Sequence, residues 1–348
     1  MTRPGRAPLD EVTDHGGSLS RAARLFPDAP LPWLDLSTGI NPHSYPVEGI
    51  PASAFRRLPE ESRLRQLLAA AASTYRAPSP ENVAAAPGTQ ILLPLVAALV
   101  PPGRAAILSP TYAEHRRAAA IAGHSVVETG DLEALGDADL GVLVNPNNPD
   151  GRVMRREALL GLAARMRARG GLLVVDEAFM DVGPEDQSVA PDAEAGGFVV
   201  LRSFGKFYGL AGLRLGFAIG PAAVLARIAA QLGPWAVSGP ALEAGIAALE
   251  DSGWRAAMQV RLAAEAARLD ALLGRHGLDV SGGTSLYRFV RTPHAGAIVE
   301  ALGRRGIIAR AFARDEQALR FGLPAFPPEF DRLDNALGSW CDRRSVGP

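Results

Sequence analysis

At 348 residues the chain is long enough for two compact cores, or for one large α/β core with an appendage. Apolar residues make up 47% and charged residues 21%, with 36 Lys+Arg against 37 Asp+Glu and a net charge of −1. This is globular composition, and it excludes a disordered chain and a global basic field for nucleic acid or an anionic membrane. The chain opens on MTRPGRAPLDEVTDHGG (residues 1–17), with no apolar stretch of the kind that leads a secreted protein, so a soluble cytoplasmic protein without membrane contact is expected. The longest apolar run, ILLPLVAALV (91–100), is half a membrane span and carries Pro94.

From about residue 80 to 220 short apolar runs alternate with amphipathic stretches. The strands expected are AAIL (105–108), SVVE (125–128), LGVLVN (140–145), LLVVD (172–176), FVVLRS (198–203) and LGFAIG (215–220). Helices are expected over 89–100, 111–122 and 155–169, the last stopped by Gly170-Gly171. Continuous apolar strands between helices predict a largely parallel sheet covered on both faces, with ligands at the carboxyl ends of its strands. There stand Asn145 onward, Asp176-Glu177 and Ser203 onward. Residues 184–197 read as a surface loop. Beyond residue 235 two helices (238–250 and 254–275) lead to the strand-like SLYRFV, GIIARAF and ALRFGL, a smaller α+β domain. The organisation expected is an N-terminal arm (1–40) that joins the small domain and the active site, a large domain (41–235) and a small C-terminal domain (236–348). The single cysteine, Cys341, excludes an internal disulfide, and no Cys/His spacing suggests a metal.

Among the 36 Lys and Arg residues only Lys206 is lysine. Arginine replaces lysine where charge alone matters, but not where an amine must lose its proton and attack a carbonyl. Lys206 is therefore a candidate nucleophile, against the alternative that one lysine survived by chance. APGTQ (86–90) opening a helix reads as ordinary capping or as a phosphate site on free backbone N–H groups. NPNNPDG (145–151) reads as a turn-rich loop, and DEAF (176–179) as the start of a helix.

Taken in order, Gly-Thr-Gln at a helix start, the aromatic of PTY, NPNNPDG, a strand ending in Asp, and Ser-x-x-Lys with Arg eight residues on form a specific set. It resembles the fold-type-I enzymes of pyridoxal 5'-phosphate (PLP), the class I/II aminotransferase superfamily, over roughly residues 14–324. The resemblance implies that Lys206 forms the Schiff base with the cofactor aldehyde and then shuttles protons. It implies that Asp176 pairs with the pyridinium N–H, that Asn148 donates to the ring hydroxyl oxygen, and that Tyr112 stacks on the ring. Gly88, Thr89 and Gln90, with Ser203 and Arg214, match the phosphate cradle.

DHGGS (14–18), LDLSTGINP (34–42), LRSFGKFYGLAGLRLG (201–216) and PWAVSGPAL (234–242) narrow the resemblance to the threonine-phosphate decarboxylases of the cobalamin pathway, close relatives of histidinol-phosphate aminotransferase. This implies decarboxylation of L-threonine O-3-phosphate to (R)-1-amino-2-propanol O-2-phosphate, with a histidinol-phosphate-type aminotransferase as the alternative and a catalytically dead PLP-fold module as a third reading. It also implies a homodimer with a small phosphorylated amino acid as substrate. His15, Asn41, Arg310 and Arg320 are the residues implied for that substrate. Phe179 stands where the aminotransferases usually carry tyrosine, as it does in the decarboxylase group. A decarboxylase must hold the carboxylate out of the ring plane, and a gripped substrate phosphate supplies the orientation. Three positions depart from the pattern: Asp150 in place of Thr or Ser, Leu58 in place of a tyrosine that reaches the neighbouring subunit's site, and Pro324 where related decarboxylases carry a further arginine.

Overall fold

A computed structural model describes residues 16–345; His15 lies outside them. In chain order the elements are α1 (Leu19–Leu25), β1 (Leu34–Leu36), α2 (Ser53–Arg56), α3 (Glu61–Tyr75), β2 (Val83–Ala86), α4 (Thr89–Ala97), β3 (Arg104–Leu108), α5 (Glu114–Ile121), β4 (Ser125–Thr129), β5 (Leu140–Val144) and α6 (Arg156–Ala168). There follow β6 (Leu172–Asp176), β7 (Phe198–Ser203), α7 (Phe204–Phe207), β8 (Gly216–Ile219), α8 (Ala222–Leu232), α9 (Gly239–Glu250), α10 (Ser252–Arg275), β9 (Val280–Thr284), β10 (Tyr287–Arg291), α11 (Ala295–Gly303), β11 (Ile307–Phe312), β12 (Asp315–Gly322) and α12 (Pro327–Ser345). They group into a larger unit, Ser44–Asn148 with Arg152–Met258, and a smaller one of the residues up to His43, Pro149–Gly151 and those from Gln259 on.

The larger unit holds a sheet of order β2-β8-β7-β6-β5-β3-β4. From β7 to β4 the strands run parallel, and β8 pairs antiparallel with both β7 and β2. Every position of β5 (LGVLV) and β6 (LLVVD) is buried, as a sheet covered on both faces requires. Leu92 and Val96 of α4 pack with Ile107, Val174 and Leu201 of the sheet and Leu225 and Ile228 of α8 in one core. The edge strand β4 (SVVET) is exposed or half-buried throughout and carries Glu128, a charge that discourages edge pairing. Parallel neighbours bring their carboxyl ends up together, so Asn145 beyond β5, Asp176 closing β6 and Ser203 closing β7 share one edge of the sheet.

Two expected helices are shorter in the structure. The stretch expected from residue 111 starts only at Glu114, because the Thr111 hydroxyl donates to Asn147 Oδ1 at 2.8 Å and holds Thr111 off the helix. The stretch expected over 89–100 stops at Ala97, ahead of Pro101-Pro102, which disfavour helical backbone before them. Helix α9 belongs to the larger unit. A Cβ on Gly245 would come within 2.7 Å of both Leu67 of α3 and Leu215, so the helix lies close against them. The division therefore falls after Met258, inside α10 and C-terminal to the expected residue 235.

In the smaller unit the sheet order is β1-β11-β12-β10-β9, parallel only between β1 and β11. The N-terminal segment thus supplies a strand to a sheet otherwise made late in the chain. Pro149–Gly151 belongs here, with Gly283 N–H donating to Asp150 O at 2.8 Å. Ile298 and Leu302 of α11 and Leu333 and Leu337 of α12 are buried. Among the described residues no helix is long and apolar enough to cross a membrane.

Candidate active site

An anion cradle forms where α4 begins. Gly88 caps the helix at φ 82° with no side-chain hydrogen bond to its first turn, leaving backbone N–H groups of Thr89 and Gln90 at an open positive end. A Cβ on Gly88 would stand 2.5 Å from Nη2 of Arg214, so glycine is required both for the backbone turn and for the approach of the guanidinium. Arg214 is exposed, and its Nη1 donates to Ala211 O at 3.1 Å. Ser203 is half-buried at the end of β7. Unpaired helix N–H groups facing a guanidinium bind phosphate.

At the neighbouring strand end the Asp176 carboxylate is buried. Its Oδ1 accepts Ala178 N–H at 3.0 Å, and its Oδ2 lies 2.9 Å from Nε2 of buried His115. Glu177 faces the interior, accepting from Ser188 Oγ (2.6 Å), Val189 N–H (2.9 Å) and Arg202 Nη1 (3.0 Å). Burial pushes the Glu177 carboxyl up, against the pull of Arg202 and these donors. Arg202 also meets Asp181 (3.1 Å) and lies 4.3 Å over the Tyr75 ring. Burial opposes its charge, but Asp181 and Glu177 hold the guanidinium above its ordinary range. This ion cluster ties the end of β6 to the end of β7, beside Asp176 and Ser203.

Lys206 sits half-buried on the single turn of α7, with Nζ 5.9 Å from the centre of the buried Phe179 ring. Behind that turn Tyr208 stacks between Phe204 (4.4 Å) and Trp254 (5.7 Å), and Tyr45 meets Trp254 edge-on (5.2 Å), so aromatic packing fixes the lysine's backbone. Tyr112 is half-buried. Its hydroxyl donates to Gln90 Oε1 at 3.1 Å, and its ring meets His115 edge-on at 5.9 Å. Half-buried Asn148 follows Asn147, which donates to Pro110 O at 3.0 Å. In the larger unit Gln90, Tyr112, His115 and Asp176 thus form one chain of contacts, Gly88 and Arg214 approach each other closely, and Lys206 faces Phe179. The side chain of Gln90 is engaged by Tyr112, and what it offers an anion is its backbone N–H.

The smaller unit holds Asn41, Arg310 and Arg320. Buried Asn41 accepts His43 N–H at Oδ1 (2.8 Å). Arg310 and Arg320 are register partners on β11 and β12, so two guanidinium side chains leave one face of the sheet side by side. Arg320 is buried, donates from Nη2 to Ser37 O at 2.8 Å and lies 4.9 Å over the Tyr287 ring. Burial, reinforced by Arg310, pulls its pKa down to about 10, against the opposing effects of Tyr287 and Asp35. A pair of cations held in this way favours an anion. Of the departures, Leu58 is 64% exposed, Pro324 is buried, and Asp150 uses its backbone carbonyl in the smaller unit.

The family model for aminotransferase class I and II matches residues 58–330. The chain belongs to this family. The threonine-phosphate decarboxylase of Pseudomonas aeruginosa is 45% identical over 330 residues, 94% of this chain and 97% of that one. The threonine-phosphate decarboxylase of a Sinorhizobium species is 42% identical over 329 residues, 93% and 97%. The solved histidinol-phosphate aminotransferase of Sinorhizobium meliloti in complex with pyridoxal-5'-phosphate superposes with a TM-score of 0.83 over 100% of this chain and 99% of that one, at 23% identity. Family members are PLP-dependent, and the residues of this chain fit the cofactor. The cradle that a Cβ at Gly88 would fill suits a phosphate, Asp176 is a buried carboxylate held on both oxygens, and Lys206 is the one amine side chain.

Three contributors were not legible in the sequence: His115, Glu114 and Arg202. His115 stands 61 residues before Asp176, and only the β3-β5-β6 sheet order brings the two together. Its one local signal is the three-residue spacing from Tyr112.

Proposed function

We propose that the protein is a PLP-dependent carboxy-lyase that converts L-threonine O-3-phosphate to (R)-1-amino-2-propanol O-2-phosphate and CO₂. The observation that carries this reading is identity of 45% and 42%, over more than nine-tenths of both chains, with proteins named threonine-phosphate decarboxylase. The aminotransferase reading is not favoured. Proteins named histidinol-phosphate aminotransferase reach 34% identity over 82% of this chain, below the 45% and 42% of the decarboxylases.

Bound in the cradle, PLP supplies an electron sink for the pair left on Cα when a bond to it breaks. The N–H groups of Thr89 and Gln90, with Ser203 and Arg214, would hold its phosphate. Asp176, oriented by His115 and Ala178 N–H, would accept a hydrogen bond from the ring nitrogen. By the resemblance, Asn148 would donate to the ring hydroxyl oxygen and Tyr112 would stack on the ring. Lys206 Nζ would hold the cofactor at its aldehyde and, once released, would carry the proton that replaces the departed carboxylate at Cα. Arg310 and Arg320, with Asn41 and His15, hold the substrate's anionic groups. Phe179 brings no hydroxyl to the ring oxygen, leaving that bond to Asn148.

The same resemblance supports a role in cobalamin biosynthesis, in the cytoplasm, as a homodimer. In the larger unit Phe55, Leu58 and Trp235 are 68%, 64% and 58% exposed, apolar surface suited to a second subunit. Incubation with threonine phosphate tests the reaction. CO₂ should form in stoichiometric amounts without any 2-oxo acid, whereas strict dependence on an oxo-acid acceptor would overturn the assignment.

A further inference from the structure

Glu114 opens α5 two residues after Tyr112 and is 5% exposed. Its Oε2 accepts from Gln90 Nε2 at 2.6 Å and from Arg117 Nη1 at 3.0 Å. A carboxylate paired with a guanidinium only accepts hydrogen bonds, so it fixes which end of the Gln90 amide faces it. The amide nitrogen must point to Glu114, and the amide oxygen is thereby turned to the Tyr112 hydroxyl, which donates to it at 3.1 Å. The hydroxyl proton is committed to Gln90. The tyrosine ring is pinned at its oxygen by this relay and at its edge by His115.

We propose that Glu114 is a positioning residue that acts through Gln90 to set the tilt of the Tyr112 ring in the cofactor site. The proposal rests on the PLP reading of that site and is independent of which Cα bond is broken. Arg117 keeps Glu114 an acceptor, Gln90 transmits the polarity over one side chain, and Tyr112 is the element moved. In Glu114→Gln the partner has nearly the same volume but offers both a donor and an acceptor, so the Gln90 amide is free to turn over and present N–H groups to the hydroxyl.

The test is a double-mutant cycle between Glu114→Gln and Tyr112→Phe. It is read by the visible circular dichroism of bound PLP and by the PLP dissociation constant, with kcat and KM for threonine phosphate recorded in parallel. Glu114→Gln alone should weaken PLP binding and lower kcat by about threefold to tenfold, with a changed dichroic band and little change in KM. In the Tyr112→Phe background the same substitution should change neither PLP affinity nor the band, because no hydroxyl remains to be oriented. Equal effects in both backgrounds, or a lower melting temperature with band and affinity unchanged, would overturn the proposal. If Glu114→Gln does not fold, Glu114→Asp carries the same cycle, since the shorter carboxylate retains its charge beside Arg117 but withdraws from Gln90. Absence of a PLP band in the unaltered protein would defeat the cofactor reading itself, an outcome separate from a failed cycle.

Discussion

In the proposed mechanism Lys206 and Asp176 carry the chemistry, and each is backed by its neighbours: Asp176 by His115 and Ala178 N–H, and the turn of Lys206 by the stack on Tyr208. Lys206→Ala should abolish the visible PLP band and lower turnover by about 10³-fold or more. Lys206→Arg should restore neither, because a guanidinium keeps its proton. Substrate affinity should depend on pH at two limits. The phosphate of the substrate loses its second charge below about pH 6. Arg320, pulled down to about 10 by burial, carries its charge below that value and loses it as pH rises through it. KM for threonine phosphate should therefore be lowest between these limits and rise on either side, by up to about tenfold per unit at the acid edge; a flat KM from pH 5 to 7 would contradict binding of the dianion. At this scale the sequence singled out Lys206 by its rarity and Asp176 by its place at the end of an apolar strand. His115, Glu114 and Arg202 belong to common types, and their roles depend on partners far along the chain.

Short elements at strand ends carry the proposed site, and their geometry leads to two predictions. Gly88→Val would place a branched side chain at positive φ and against Arg214. This should cost about 1–3 kcal/mol of stability and more than tenfold in PLP affinity, measured by fluorescence titration, with the fold retained. Arg202→Met would leave Glu177 buried without its cation and take from Asp181 the nearer of its two, Arg255 standing at 4.0 Å. Denaturant unfolding should show a loss of about 3–5 kcal/mol. Continuous apolar runs made the strands of the parallel sheet easy to read, and α6 at Arg156–Ala168 lies within the expected 155–169. The start of α5 was not readable, because a tertiary hydrogen bond from Thr111 to Asn147 decides it. The length of the larger unit was not readable either, because α9 is held there by contact with Leu67 and Leu215.

For the whole molecule, the motif NPNNPDG divides between the two units, with Asn148 in the larger and Pro149–Gly151 in the smaller. The proposed homodimer predicts sedimentation at about twice 36.5 kDa, and Leu58→Glu should shift the protein toward monomer by placing a charge in the apolar surface. A monomer at micromolar concentration would contradict that part of the account. The central claim is that the bond broken is Cα–COO⁻ rather than Cα–H. Threonine phosphate deuterated at Cα tests it most directly, with the product mass read after complete turnover. Decarboxylation leaves the Cα–D bond intact, so 1-amino-2-propanol phosphate should retain one deuterium per molecule. Loss of that deuterium to solvent with formation of a 2-oxo acid would contradict the account.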